Sequence, residues 1–262
     1  NIQTTIDLEL QVHCEKLMVD KKGVILVGEP LNGGILAAVS SPDYPPDFFT
    51  GLITESDWND IRTNLDKPLI NRYIQGKYIP GSIVKMITQI ALLKSQHFNK
   101  EVKQYCPGFY QFGDRIFGCW YTEGHGELNV TEAMAVSCDV YFYKTVKQLS
   151  LRDLNRTFND FGFGQKTKID IPNETVGLVP DSEYMRKRYG KYGWSRGVLL
   201  NLAIGQGELL VTPMQVLNYV NLLATKGEAP NCHFVFVDNL PLNTSPNFCL
   251  LYTSDAADEG HC

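Results

Sequence analysis

Ser82-Ile83-Val84-Lys85 sets a hydroxyl and an amine three residues apart. On a helix that spacing sends both side chains out of one face about one turn apart, the geometry acyl transfer needs: a nucleophile with a base beside it. Pro80-Gly81 marks the helix start, so the hydroxyl falls where free amide hydrogens and the positive dipole end favour developing negative charge. A lysine held in a dry cleft gives up its proton more readily and can serve as the base. Ser-x-x-Lys also arises by chance in many proteins, where the lysine is an ordinary surface residue. Ser137-Cys138-Asp139 follows after 51 intervening residues, between two predicted helices. Ser137 and Asp139 are also helix-capping residue types, so the bare pattern admits a structural reading beside the chemical one.

A second set of chemistry-bearing residues lies between these motifs. Cys106, Cys119, His125 and Cys138 form a Cys-x12-Cys-x5-His-x12-Cys series of zinc-type ligands. The spacing is irregular for a finger, but Gly124-His125-Gly126 lets the chain turn sharply back toward Cys138. The other reading is a Cys106–Cys119 disulfide with a buried free Cys138. All seven cysteines, with Cys14, Cys232, Cys249 and Cys262, make an odd number that disulfides alone cannot use. Cys14 reads as a small buried hydrophobe, and His13, His97, His233 and His261 as surface or packing residues.

The elements that must position these groups are legible from periodicity and caps. Residues 24–41 give two apolar runs around Asn32-Gly33-Gly34, a hairpin signal. A proline-rich and polar stretch to Pro68 reads as loop with a short helix near Trp58. From Ser82 to about Gln96 apolar residues cover most of a helix surface, as in a buried helix. Asn129 with Glu132 opens a helix ending near Ser137. Val140–Leu149 and Leu151–Phe161 supply two more, the second closed by Gly162 and Gly164. Thr212-Pro213-Met214-Gln215 opens a helix to about Ala224.

With 262 residues, 44% hydrophobic, the chain can bury a large core. A net charge of -5 with no basic stripe argues against nucleic acid as a partner. No apolar run approaches the length needed to cross a bilayer and no leader opens the chain, so the sequence as it stands reads as soluble.

YIPGSIVKMITQIALL around Ser82, with Ser137-Cys138-Asp139, resembles the serine, lysine and second-serine motifs of penicillin-binding proteins and serine β-lactamases. TIDLELQ, DKPLINRYIQGKYIPGS, GHGELNVTEAMAVSCDVYFYK and NLAIGQGELLVTPMQ are similar, in the same order, to class B penicillin-binding proteins and the penicillin-binding protein 2 family, from residue 2 to about residue 236. The resemblance implies an α/β (α+β) fold, an antiparallel sheet flanked by helices with an all-helical subdomain. It implies a peptidoglycan D,D-transpeptidase of cell-wall elongation, working at the periplasmic face of the inner membrane with an elongation-complex glycosyltransferase and inhibited by β-lactams. Ser82 would attack the D-Ala-D-Ala end of a stem peptide and Lys85 take its proton. Ser137 would pass that proton to the leaving amine, and Asp139, where many relatives have asparagine, would orient Lys85 or the substrate. Some relatives carry zinc held by residues matching Cys106, Cys119, His125 and Cys138, which implies a closed structural site pinning the second motif.

Two features depart from the family. Its third motif, Lys-Thr/Ser-Gly, is not found; Thr225-Lys226-Gly227 reads instead as a helix stop. Residues 248–262 match nothing in the family, so residues 1–247 are expected to be a partial transpeptidase domain followed by a non-native tail. With three of five sheet strands missing, the remaining hairpin edge is expected to be bare and aggregation-prone, and the fragment inactive. A serine β-lactamase or β-lactam sensor domain, and a non-catalytic scaffold of the elongation complex, stay open as alternatives.

Overall fold

The structure, a computed structural model, describes residues 2–190, 193–236 and 242–244. The expected foreign tail, with Cys249 and Cys262, lies outside the described residues. The chain divides into two units, one of Asn1–Tyr78, Gln165–Val176 and Val211–Pro246, the other of Ile79–Gly164 and Gly177–Leu210 with the chain end. Among the described residues no helix is long and apolar enough to cross a membrane.

In the first unit the Asp7 carboxylate accepts from the Leu10 amide and starts α1, Leu8–Leu17. The expected hairpin forms from β1, Gly23–Gly28, and β2, Ile35–Ser41, paired antiparallel. Alternation along β2 buries Ile35, Ala37 and Val39, and Cys14 of α1 packs on the last two as the small hydrophobe its sequence context suggests. The helix near Trp58 is α2, Glu55–Thr63, with a Thr54/Asp57 capping box, and α3, Arg72–Gln75, follows it.

The outer edge of β2 is not bare. The Leu36 carbonyl accepts from the Asp7 amide, the Ile35 amide donates to the His233 carbonyl, and the Gln11 side-chain amide both accepts from Ala38 N–H and donates to its carbonyl at 2.8 and 3.1 Å. A side chain one turn into α1 thus does the work of a neighbouring strand, which periodicity cannot reveal.

The second unit begins with a 3-10 turn, Gly81–Val84, running into α4, Lys85–Leu93. Most of α4 is buried, but Ile83 and Met86 are exposed, so the apolar surface read from the sequence is wider than the face that packs. Beside its helices the unit carries short antiparallel pairs: β3, Gln104–Cys106, with β6, Gly126–Leu128, and β4, Phe109–Phe112, with β5, Arg115–Gly118. Capping boxes start α5, Val130–Ala135, at Asn129 and α7, Leu151–Asp160, at Ser150; between them lies α6, Asp139–Thr145. The remaining helices are α8, Ser182–Tyr189, and α9, Gly197–Ala203. Buried Val84, Ile87, Leu92, Phe142, Leu154 and Phe158 form the interior on which α4 is fixed.

Back in the first unit, α10, Pro213–Ala224, opens with the Thr212/Gln215 capping box. Its end confirms Thr225-Lys226-Gly227 as a helix stop: Gly227 N–H reaches the Leu222 carbonyl and Lys226 N–H the Leu223 carbonyl, with Lys226 left-handed at φ 56°. Two further strands, β7 (Glu228–Pro230) and β8 (Leu242–Thr244), pair antiparallel.

Candidate active site and metal-ligand cluster

The Ser82 turn is fixed from behind. Gly81 N–H donates to the Gly205 carbonyl at 2.8 Å, and Gly205 adopts φ 72° with its α-carbon so close that a side chain would press into the Gly81 carbonyl. One turn along, Thr88 Oγ1 donates to the Ala203 carbonyl at 2.9 Å. Ser82 itself is exposed to solvent while Lys85 is 1% exposed.

Lys85 joins the two motifs. Its Nζ donates to the Ser137 carbonyl at 2.7 Å, to Ser137 Oγ at 2.9 Å and to Asp139 Oδ1 at 2.7 Å. Three acceptors engage all the protons of an ammonium, and the Phe142 ring lies 5.8 Å from Nζ. The surface-lysine and simple cap-pair readings therefore fail: a buried charge is tolerated only with partners of this kind.

Ser137 reaches Lys85 through an uncommon backbone. Cys138 N–H bonds the Ala133 carbonyl and Ser137 N–H the Met134 carbonyl, a Schellman ending of α5 with Ser137 at the left-handed position, φ 51°. Glycine takes that position without strain, whereas an L-residue loses about 1 kcal/mol or more. Cys138 then caps α6, its Sγ accepting from Tyr141 N–H at 3.4 Å, and Asp139 starts that helix.

Cys106, Cys119, His125 and Cys138 converge, with one ligand atom from each all within 4.8 Å of one another. Cys106 and Cys119 carry free thiols, so the disulfide reading is not realised. His125 Nδ1 lies 3.7 Å from Cys106 Sγ and 3.6 Å from Cys119 Sγ. Tetrahedral zinc bonds of ordinary length put sulfur and nitrogen about 3.6 Å apart, so the pocket has the dimensions for such an ion. Gly124, φ 85°, lets the loop close; a side chain there would meet the Cys106 carbonyl. Burial pushes the Cys138 thiol well up, and the neighbouring thiols add to that shift. Burial also works against the Cys106 thiolate, but N–H groups of His125 and Gly108 and the adjacent thiols outweigh it and bring that thiol down.

Trp120 is the participant that residue type and spacing did not assign. Its backbone N–H donates to Asp139 Oδ2 and its indole N–H to the Val136 carbonyl, both at 3.0 Å. Its signals in the sequence are its place directly after Cys119 and its membership of a segment that, with Gly124-His125-Gly126, resembles the biosynthetic enzymes of the family.

The penicillin binding protein transpeptidase domain family matches residues 23–247. The chain belongs to that family. A curated relative, peptidoglycan D,D-transpeptidase MrdA of Acinetobacter baumannii, is 36% identical over 230 residues, covering 87% of this chain and 34% of the relative. Penicillin-binding protein 2 of Helicobacter pylori, solved alone and in complex with MreC, superposes with a TM-score of 0.91 at 38% identity, over 98% of this chain and 48% of that one. A chain from a peptidoglycan synthase complex that coordinates polymerization and crosslinking gives a TM-score of 0.82 at 26% identity, over 97% of this chain and 48% of that one. The chain thus spans about a third of the length of the curated relatives it matches. The transpeptidase fold expected from the family motifs is the fold observed.

Proposed function

We propose that this domain carries the acyl-transfer centre of a peptidoglycan D,D-transpeptidase in cell-wall elongation, with residues 1–247 as its transpeptidase part. The contact set that supports it most is Lys85 Nζ bridging the Ser82 helix to Ser137 and Asp139. Ser82 Oγ attacks the carbonyl between the two terminal D-alanines of a stem peptide while Lys85, once it has released one of the three protons it donates, takes the proton of that hydroxyl. That proton passes through Ser137 Oγ, 2.9 Å from Nζ, to the leaving amine, and D-alanine departs from a Ser82 ester. An amine of a neighbouring strand then attacks the ester, a cross-linking amide forms, and Ser82 regains its proton. Asp139 holds Lys85 in register throughout. β-Lactams acylate the same hydroxyl.

The proposal extends to zinc, held by Cys106, Cys119, His125 and Cys138. With all four positions filled by protein atoms, a metal there supplies cross-linking of the loop to Cys138 and no reaction step. It further takes in an elongation-complex glycosyltransferase as partner, supported by the relatives solved with MreC and within a peptidoglycan synthase complex, and the periplasmic face of the inner membrane as location.

The test is the intact mass of the full-length protein after incubation with a penicillin. A single adduct, absent from Ser82→Ala, is expected; an adduct surviving that substitution would remove Ser82 from the nucleophile's role. For the metal, one zinc per chain is expected by atomic emission, with most of it lost in Cys138→Ser; full zinc content in that variant would place the ion elsewhere.

A further inference from the structure

We infer that Trp120 is a positioning residue for the second motif, a role that rests on the acyl-transfer reading above. The Schellman ending of α5 uses the carbonyls of Ala133 and Met134 but leaves that of Val136, the last before Ser137, to find a partner outside the helix. The Trp120 indole N–H is that partner at 3.0 Å. The same residue's backbone N–H holds Asp139 Oδ2 at 3.0 Å, while Asp139 Oδ1 holds Lys85. One residue therefore clamps the chain on both sides of Ser137: the peptide before it and the carboxylate two residues after it. Ser137 needs such a clamp, because its left-handed backbone, φ 51°, is one an L-residue leaves readily when nothing opposes the change.

Packing does not account for the tryptophan. Trp120 is 63% exposed, so it contributes little to the core; its ring leans on Tyr121 and His125, with centroids 5.7 and 5.4 Å away. An exposed indole whose N–H bonds the peptide bearing the catalytic turn is a geometric device rather than a hydrophobic one. Removing its N–H should slow the chemical step and leave substrate binding alone, since the bond orients Ser137 and touches no substrate.

The experiment is saturation kinetics of acylation by a chromogenic β-lactam in the full-length protein, comparing wild type, Trp120→Phe and a site-specific benzothienyl isostere of Trp120 that lacks only the N–H. Expected is a roughly tenfold lower acylation rate constant in both variants, with an unchanged dissociation constant for the non-covalent complex and unchanged zinc content and melting temperature. Wild-type acylation constants in the isostere would overturn the inference, as would a loss accompanied by loss of zinc, which would put the effect in the metal cluster. Failure of the wild type itself to acylate would instead bring down the transpeptidase reading, and the inference with it.

Discussion

Helices α5 and α7 are assembled from the same parts. Each opens with a capping box, Asn129/Glu132 and Ser150/Asp153, and each closes with a Schellman pair of hydrogen bonds. In α7 the left-handed position is Gly162, φ 83°, and the residues flanking the motif, Phe158 and Phe163, stack at 6.2 Å. In α5 that position is Ser137, whose hydroxyl and carbonyl both receive Lys85. Helix α7 uses the residue the backbone prefers, whereas α5 accepts strain and presents two oxygens to Lys85. Helix α10 ends on the same motif with Lys226 left-handed at φ 56°, so a strained residue alone does not mark the site; what sets Ser137 apart is that its hydroxyl and carbonyl both receive Lys85.

The largest effect should come from making α5 resemble α7. Ser137→Gly in the full-length protein is expected to lower the acylation rate constant by about a hundredfold or more, because the proposed proton relay would be lost, while the melting temperature holds or rises as the backbone relaxes. Stopped-flow acylation and a thermal melt on one sample decide it; a variant that is both slower and markedly less stable would mean Ser137 serves the fold first.

The reverse exchange is smaller. A side chain at Gly162 would meet no atom within 4 Å, so Gly162→Ser isolates backbone strain and should destabilise by about 1 kcal/mol in denaturant titration with acylation kinetics intact. An unchanged midpoint would show that this motif tolerates serine freely and that the backbone of Ser137 carries no strain.

The smallest effect concerns the caps. The Ser150 hydroxyl and amide hold the Asp153 carboxyl below its ordinary value against the opposing effect of burial. A depressed folded value means that this contribution is complete above the usual carboxylate pKa and fades as pH falls through the lowered one. The stability gap between wild type and Asp153→Asn, measured by denaturant titration at a series of pH values, should therefore narrow on acidification below about pH 4. A gap that stays constant would detach the cap of α7 from this carboxylate.

Much of the candidate site is legible in the amino-acid sequence. Ser82 and Lys85 declare themselves by spacing on one helical face, the four metal-type ligands by residue type, and the helices by caps and periodicity, all of which depend on neighbours a few residues away. The hairpin, the buried role of Cys14 and the helix stop at Lys226 follow from the same local rules. Trp120 is not legible as a hydrogen-bond donor, since its partners Val136 and Asp139 lie 16 and 19 residues on and no pattern of residue types encodes which carbonyl an indole will meet.

By itself, then, the sequence determined which groups could react and which segments would be helical, because torsional preference, capping and amphipathic period act over a turn or two. Only the tertiary structure decided that Lys85 is buried against Ser137 and Asp139, that Ser137 takes a glycine's backbone, that Gln11 closes the edge of β2, and that one loop brings three ligands to Cys138. Those outcomes depend on long-range packing, where an unpaired buried charge, thiol or amide is costly enough to select one arrangement among many that the local rules allow.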